Sequence, residues 1–197
     1  MHLQKIIFGI LIVACSTQAM AQTNTYVQPK PKKKHQFAFY GGFGPNYYFN
    51  NLVLGKNLVN DFNYSFVGRF MWEPEHLLSL GIETGYFRLY TLNAPAPDQV
   101  HIANSAIPLQ LVVSMKFLRT FYFNFAMGQS VLLNKVTSQS FGDFNATKLS
   151  VADFSTTIGY RYRFPSRFSI GAEAKGFYSS SFTDRNVALF FVGGYKF

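Results

Sequence analysis

The chain ends N-V-A-L-F-F-V-G-G-Y-K-F, residues 186 to 197, with an aromatic side chain as its last residue. Side chains of a strand alternate between faces with period two. Val187, Leu189, Phe191, Gly193, Tyr195 and Phe197 therefore share one face, and Ala188, Phe190, Val192, Gly194 and Lys196 share the other. One face is apolar and aromatic, and the other is mostly small. Chain ends of soluble domains usually fray unless tied down. A strand that runs into a terminal Phe must be held either as a buried edge of a soluble sandwich or by an apolar surround.

The same alternation recurs upstream from Gln36. Strands are expected over residues 36–44, 63–73, 77–90, 106–117, 120–132, 149–163 and 168–179, with residues 186–197 as the eighth. In the second, Tyr64, Phe66, Phe70 and Trp72 oppose Asn63, Ser65, Arg69 and Glu73; in the fourth, Ile107, Leu109, Leu111, Val113, Met115 and Phe117 oppose Gln110, Ser114 and Lys116. Tight turns are expected around Pro74, Arg119 and Pro165, and longer loops around Leu52, Pro97, Phe141 and Thr183. An even strand count with short turns at one end and long loops at the other is the pattern of membrane-spanning barrels, with the short turns in the periplasm.

Composition separates a barrel in water from one in lipid. Charged residues make up 14 % of the chain and aromatic residues 18 %, with 23 Phe and 12 Tyr, against about 25 % charged in soluble domains. No apolar run outside the N-terminal segment reaches the roughly 20 residues of a membrane helix, so a membrane span must be made of strands. Eight strands enclose only enough space for side chains to meet across the axis. The Phe- and Tyr-bearing faces would overfill that space, and turned toward water, as in a soluble lipocalin-like barrel, they would invite aggregation. Turned toward lipid they match their solvent, and Trp72, Phe117, Phe121, Tyr160, Tyr162, Phe168, Tyr195 and Phe197, all near the short turns, form an expected interfacial girdle. Closure then pairs every backbone N–H and C=O, which lipid cannot do. The expected fold is all-β: an eight-stranded antiparallel up-and-down transmembrane β-barrel over residues 36–197.

The terminal stretch also resembles the C-terminal strand of Gram-negative outer-membrane β-barrels at Leu189, Phe191, Tyr195 and Phe197, with Gly193 departing from a bulky residue. From Gln36 to Phe197 the pattern resembles the small OmpA/OmpX-like barrels, often labelled porin-like. That resemblance implies a cell outer-membrane location, contact with outer-membrane lipid and lipopolysaccharide, a monomer, and recognition of those four residues by the membrane-assembly machinery.

The inward face carries an internal echo. Ser79-Leu80-Gly81-Ile82-Glu83 and Ser169-Ile170-Gly171-Ala172-Glu173 share S-x-G-x-E, each after a tight turn preceded by an inward Arg, Arg69 and Arg161. Symmetric turns would set each Arg opposite the Gly and diagonal to the Glu, with the Gly leaving room for the guanidinium. Arg69, Glu83, Arg161 and Glu173 are expected to form a cross-lumen ion network, helped by Lys116, Asp153 and Lys175.

Before Gln36 the chain is of another kind. Residues 1–21 carry Lys5, an apolar stretch from Ile6 to Ala14, and Ala19-Met20-Ala21 before Gln22, the small-x-small pattern of a cleaved signal peptide. Ile12-Val13-Ala14-Cys15 also resembles a lipoprotein signal, which would make Cys15 a lipidated N-terminus. Cleavage after Ala21 instead removes the single cysteine and with it any disulfide. Residues 22–35, with P-K-P-K-K-K, read as a disordered basic periplasmic lead. The net charge of +9 has no aromatic platform or nucleic-acid motif beside it. Anionic lipid is one candidate counter-charge, and a merely solvated linker is another.

Catalytic patterns are sparse. His101, Ser105 and Asp98 lie close in sequence, and such a set at the outer rim would resemble lipid A deacylases and acyltransferases, although Ser and Asp are ordinary turn residues. No phosphate loop, His-x-x-x-His spacing or acidic calcium loop occurs, so no cofactor is implied. The leading expectation is a non-enzymatic outer-membrane protein whose loops serve envelope integrity, adhesion or binding of an extracellular or envelope partner. A secretion or envelope-assembly subunit, a small channel and a lipid A-modifying enzyme are the alternatives.

Overall fold

The computed structural model describes residues 36–49, 58–74, 77–94, 99–118, 120–138, 140, 142–179 and 184–197. They form β1 (Phe37–Tyr48), β2 (Val59–Asn60), β3 (Phe62–Trp72), β4 (Leu78–Ala94), β5 (Val100–Phe117), β6 (Phe121–Ser138), β7 (Gly142–Leu149), β8 (Asp153–Arg163), β9 (Phe168–Ser179) and β10 (Asp184–Lys196). The expected signal peptide, the basic lead, Asp98, Arg119 and the loop tips at Leu52, Pro97, Phe141 and Thr183 fall outside the described residues.

Eight strands, β1, β3, β4, β5, β6, β8, β9 and β10, pair antiparallel in chain order, and β10 pairs back onto β1 to close the barrel. Closure uses the terminal stretch itself: Phe39 pairs with Tyr195 and Phe43 with Phe191, and Phe197 N–H donates to Phe37 O at 2.9 Å. Opposed pairs traced from Ala38 through Met71, Gly81, Val112, Ala126, Ser155, Phe177 and Asn186 return to β1 at Tyr48, ten residues beyond the start. This stagger tilts the strands and decides which inward residues meet.

The faces sort as the alternation requires. Outward residues such as Phe43 (59 % exposed), Leu111 (67 %) and Phe191 (68 %) carry the aromatic and aliphatic load. At the short-turn end their rings touch around the wall: Phe37 with Phe70, Phe70 with Phe197, Phe117 with Phe121, and Phe121 with Tyr160 at 5.2 Å between centroids. Ser65, Ser114, Asn124, Ser155 and Thr157 face inward and are buried.

Several strands run further than their apolar pattern. β4, β5 and β6 reach Ala94, Val100 and Ser138, so the expected loops around Pro97 and Phe141 are largely continued hairpins. Asn93 pairs with His101, and Asn104 with Asn134. Beyond the belt neither face needs to be apolar, so the period-two signal ends while backbone pairing continues. The expected sixth strand, 149–163, is divided into β7 and β8 by a bulge. Val131 pairs with Leu149 and Gly128 with Asp153, which leaves Ser150, Val151 and Ala152 facing only Gln129 and Ser130. Ser130 N–H donates to Ser150 Oγ at 2.7 Å across it. Bulges of this kind redirect a strand, and here β7 departs from the barrel wall while still paired to β6.

Candidate functional site

Two places concentrate polar structure: the lumen, and the sheet that β4 to β7 raise above the long-loop rim.

In the lumen, Arg69 on β3 and Glu83 on β4 are directly opposed. Arg69 Nη2 lies 2.6 Å from Glu83 Oε2, and Arg69 Nη1 reaches across the axis to Glu173 Oε1 on β9 at 2.9 Å. Lys175 on β9 pairs with Glu83 from the other side, and the Tyr122 hydroxyl donates to Glu173. All four charged side chains are buried. Two cations and two carboxylates thus balance in one layer.

A second cluster closes the short-turn end. Glu73, just past β3, accepts from the Tyr40 hydroxyl at 2.6 Å on Oε1, and on Oε2 from Lys116, Arg163 and Lys196 at 2.8, 3.1 and 3.3 Å. Arg161 lies 3.9 Å from the same carboxylate, with its guanidinium held between the rings of Tyr40 (3.9 Å) and Tyr122 (4.4 Å). On the other side of the ion layer, Phe87 stacks on Phe177 at 5.4 Å and meets Phe190 edge-on at 6.0 Å.

The sequence echo does not give two equivalent sites. In the first hairpin the register sets Arg69 against Glu83 and Met71 against Gly81, and Met71 Sδ takes the space at Gly81. In the second, Arg161 opposes Gly171, yet Glu173 bonds Arg69 rather than Arg161. The first turn holds one more residue than the second (73–77 against 164–167). The symmetric-turn expectation holds in the second hairpin, where Arg161 faces Gly171, and fails in the first, where the extra turn residue sets Arg69 against Glu83 instead of Gly81. Lys116 joins Glu73 rather than the central layer. Asp153 takes no part in either network among the described residues; it sits beside the bulge with Oδ2 accepting from Ser150 Oγ at 2.7 Å. The alternation puts Glu73 and Phe190 on the inward face but does not show Glu73 as the centre of a cation cluster, since a Glu before a Pro reads as turn chemistry; inward Phe87 and Phe177 run against the small-residue pattern.

No protein-family model matches the chain, and no curated protein matches it. Solved structures do. Ail, the attachment invasion locus protein of Yersinia pestis, in complex with the heparin analogue sucrose octasulfate, is 12 % identical over 84 % of this chain and 100 % of that one, with a TM-score of 0.57. Neisserial surface protein A is 11 % identical over 82 % of this chain and 97 % of that one, with a TM-score of 0.50. The fold is that of the small outer-membrane β-barrels. The apolar belt of such a barrel requires lipid around it, and the chain is an integral outer-membrane protein.

Above the long-loop rim of this barrel, β2 pairs with β4 at Thr91 and Leu92, β4 with β5, β5 with β6, and β6 with β7. β7 is an edge strand of eight residues, G-D-F-N-A-T-K-L, paired among the described residues only with β6. It is exposed on both faces, with Phe144 at 64 %. On the same sheet His101 Nδ1 lies 2.5 Å from Asn93 Oδ1, while the Ser105 hydroxyl is bonded to Tyr86 at 2.7 Å. Four residues of extended strand separate His101 from Ser105, about 13 Å. These two members of the sequence-derived trio are therefore not brought together.

Proposed function

We propose that this barrel acts without catalysis of its own, presenting its projecting sheet for adhesion or partner binding. The observation that carries this reading is β7: an eight-residue edge strand, paired among the described residues on one side, raised beyond the rim. Natural edge strands are normally kept short, charged or covered, because open N–H and C=O groups recruit further strands. β7 has only Asp143 and Lys148 as charges, no Pro, and exposed Phe144 and Leu149. An extended segment of a partner can add to it by main-chain hydrogen bonds, with Phe144 and Leu149 supplying side-chain contacts. The attachment role in the name of Ail agrees with such a use of this fold.

The remaining assignments fit this reading. Residues 1–21 direct export and are cleaved after Ala21, residues 22–35 form a periplasmic lead, and the short turns face the periplasm by the usual polarity of such barrels. Leu189, Phe191, Tyr195 and Phe197 are read by the assembly machinery. The belt contacts lipid and lipopolysaccharide, and the barrel works as a monomer.

The test is adherence and cross-linking. Cells of a non-adherent strain displaying the full barrel should bind host surfaces or partner cells, and a photo-reactive side chain at position 146 should link to the bound protein. Phe144→Lys with Leu149→Lys should abolish both while heat-modifiable barrel persists. Undiminished adherence of that variant would remove β7 from the function.

A further inference from the structure

Among the described residues, the short-turn mouth gathers four cationic side chains around one carboxylate side chain. We propose that it is a binding site for the phosphate group of a net-anionic phospholipid. Among the described residues Glu73 is the one side-chain carboxylate in the cluster, and Lys116, Arg161, Arg163 and Lys196 all lie within 4 Å of it. Its Oε2 alone takes three of these cations, although an oxygen offers about two lone pairs. An ammonium has three donors and a guanidinium five, so Glu73 takes only part of the N–H capacity of Lys116, Arg163 and Lys196. Arg161 is clamped between two tyrosine rings, with its guanidinium 3.9 Å from Glu73. The other three project toward the opening, with Arg163 40 % exposed and the Glu73 carboxylate 2 %.

Space for a ligand lies where these donors point. A cavity of about 110 Å³ is bordered by Lys116, Thr120 and Arg163. A second, of about 490 Å³, is bordered by Arg163, Arg167, Lys196, Phe164 and Phe197. Arg163 is common to both. A phosphate matches a guanidinium fork with paired oxygens and brings the charge the cluster lacks. The apolar wall made by Phe164 and Phe197 continues the girdle that marks the bilayer interface, which is the depth of lipid phosphates. A phospholipid can therefore lay its acyl chains along the outer wall and turn its headgroup into the mouth.

The test uses the whole barrel in neutral detergent, followed by native mass spectrometry with phosphatidylglycerol or phosphatidylcholine of matched chains, and separately by phosphorus NMR with inorganic phosphate alone. One phosphatidylglycerol should remain bound per barrel, at least tenfold tighter than phosphatidylcholine. Arg163→Gln with Lys196→Gln should lose that preference, and Arg163→Lys should keep most of it. Heat-modifiability of each variant establishes that it is folded. Equal retention of the two lipids by the wild type, or equal retention of phosphatidylglycerol by wild type and a folded Gln variant, would overturn the proposal. Phosphate binding that is lost in the Gln variant, without any lipid preference, would overturn the lipid source while assigning the mouth to a soluble phosphate.

Discussion

Arg69 and Glu83 face one another across β3 and β4, with Nε and Nη2 of the arginine 2.8 and 2.6 Å from the same carboxylate oxygen. Their pairing is the hinge of the lumen network, because each also reaches the far wall: Arg69 to Glu173, and Glu83 to Lys175. Two strands on one side of the barrel are thereby tied to one on the other at a level where water has little access.

Removing one member should be costly. Glu83→Ala leaves Lys175 with no carboxylate partner of its own and Arg69 with one partner instead of two. An uncompensated buried charge costs on the order of 3 to 5 kcal/mol, less where water enters. The urea midpoint for unfolding in detergent should fall accordingly for Glu83→Ala. The double variant Arg69→Ala with Glu83→Ala should lose less than the two single losses combined, since the residues are coupled. Strict additivity would show that the pair contributes nothing as a pair.

Two glycines hold the aromatic clamp on Arg161. A Cβ at Gly194 would run into the Tyr40 ring, and one at Gly159 into the ring and hydroxyl of Tyr122. Gly194→Ala or Gly159→Ala should push a ring off the guanidinium and destabilise by about 1 to 3 kcal/mol, the usual cost of overpacking. Gly176→Ala is the internal control. Its Cβ would meet only Thr156 Oγ1, at an ordinary 3.5 Å, and its change should stay within about 0.5 kcal/mol. Equal effects at all three sites would mean that strand propensity, rather than ring packing, sets the cost.

How far the sequence could be read follows from which forces leave a local trace. Lipid on one face and side chains on the other impose period two, so β1, β3, β8, β9 and β10 were legible to within a few residues. Where that contrast stops, at Thr91 on β4 or Asn134 on β6, pairing continues with no periodic signature, so the projecting sheet reads as loops in the sequence. The lumen partners depend on the ten-residue stagger, which no short stretch encodes. Arg161 and Glu173 lie close in sequence with matched faces, yet the stagger and the turn lengths carry Glu173 to Arg69 and set Arg161 beside Tyr40 and Tyr122.

The terminal strand makes a separate prediction. Tyr195 and Phe197 are outward and half exposed, Tyr195 pairs with Phe39, and the backbone of Phe197 bonds that of Phe37 in both directions. Replacing both by Ser should spare these backbone bonds and so leave closure possible in refolding experiments with detergent, while folded barrel in the outer membrane of cells drops severalfold. Loss of refolding in vitro to the same degree would assign the two rings to stability rather than to recognition by the assembly machinery.

The lumen should not conduct. Eight strands leave room only for side chains meeting at the axis, and here that room is filled twice, by the Arg69, Glu83, Glu173 and Lys175 layer and by the stacked Phe87, Phe177 and Phe190. An ion would have to break paired charges in a confined, poorly hydrated site and then pass a layer narrowed by three packed rings. Refolded wild type should therefore give no stable steps in planar bilayers. Phe87→Ala with Phe177→Ala should remain silent, because the ion layer still spans the axis. Adding Arg69→Ala and Glu173→Ala should produce leak currents, since the layer then loses both the arginine that bridges the walls and its far anchor. Stable, reproducible channels in the wild type would show that these layers part under voltage and would favour a transport role over a presenting one.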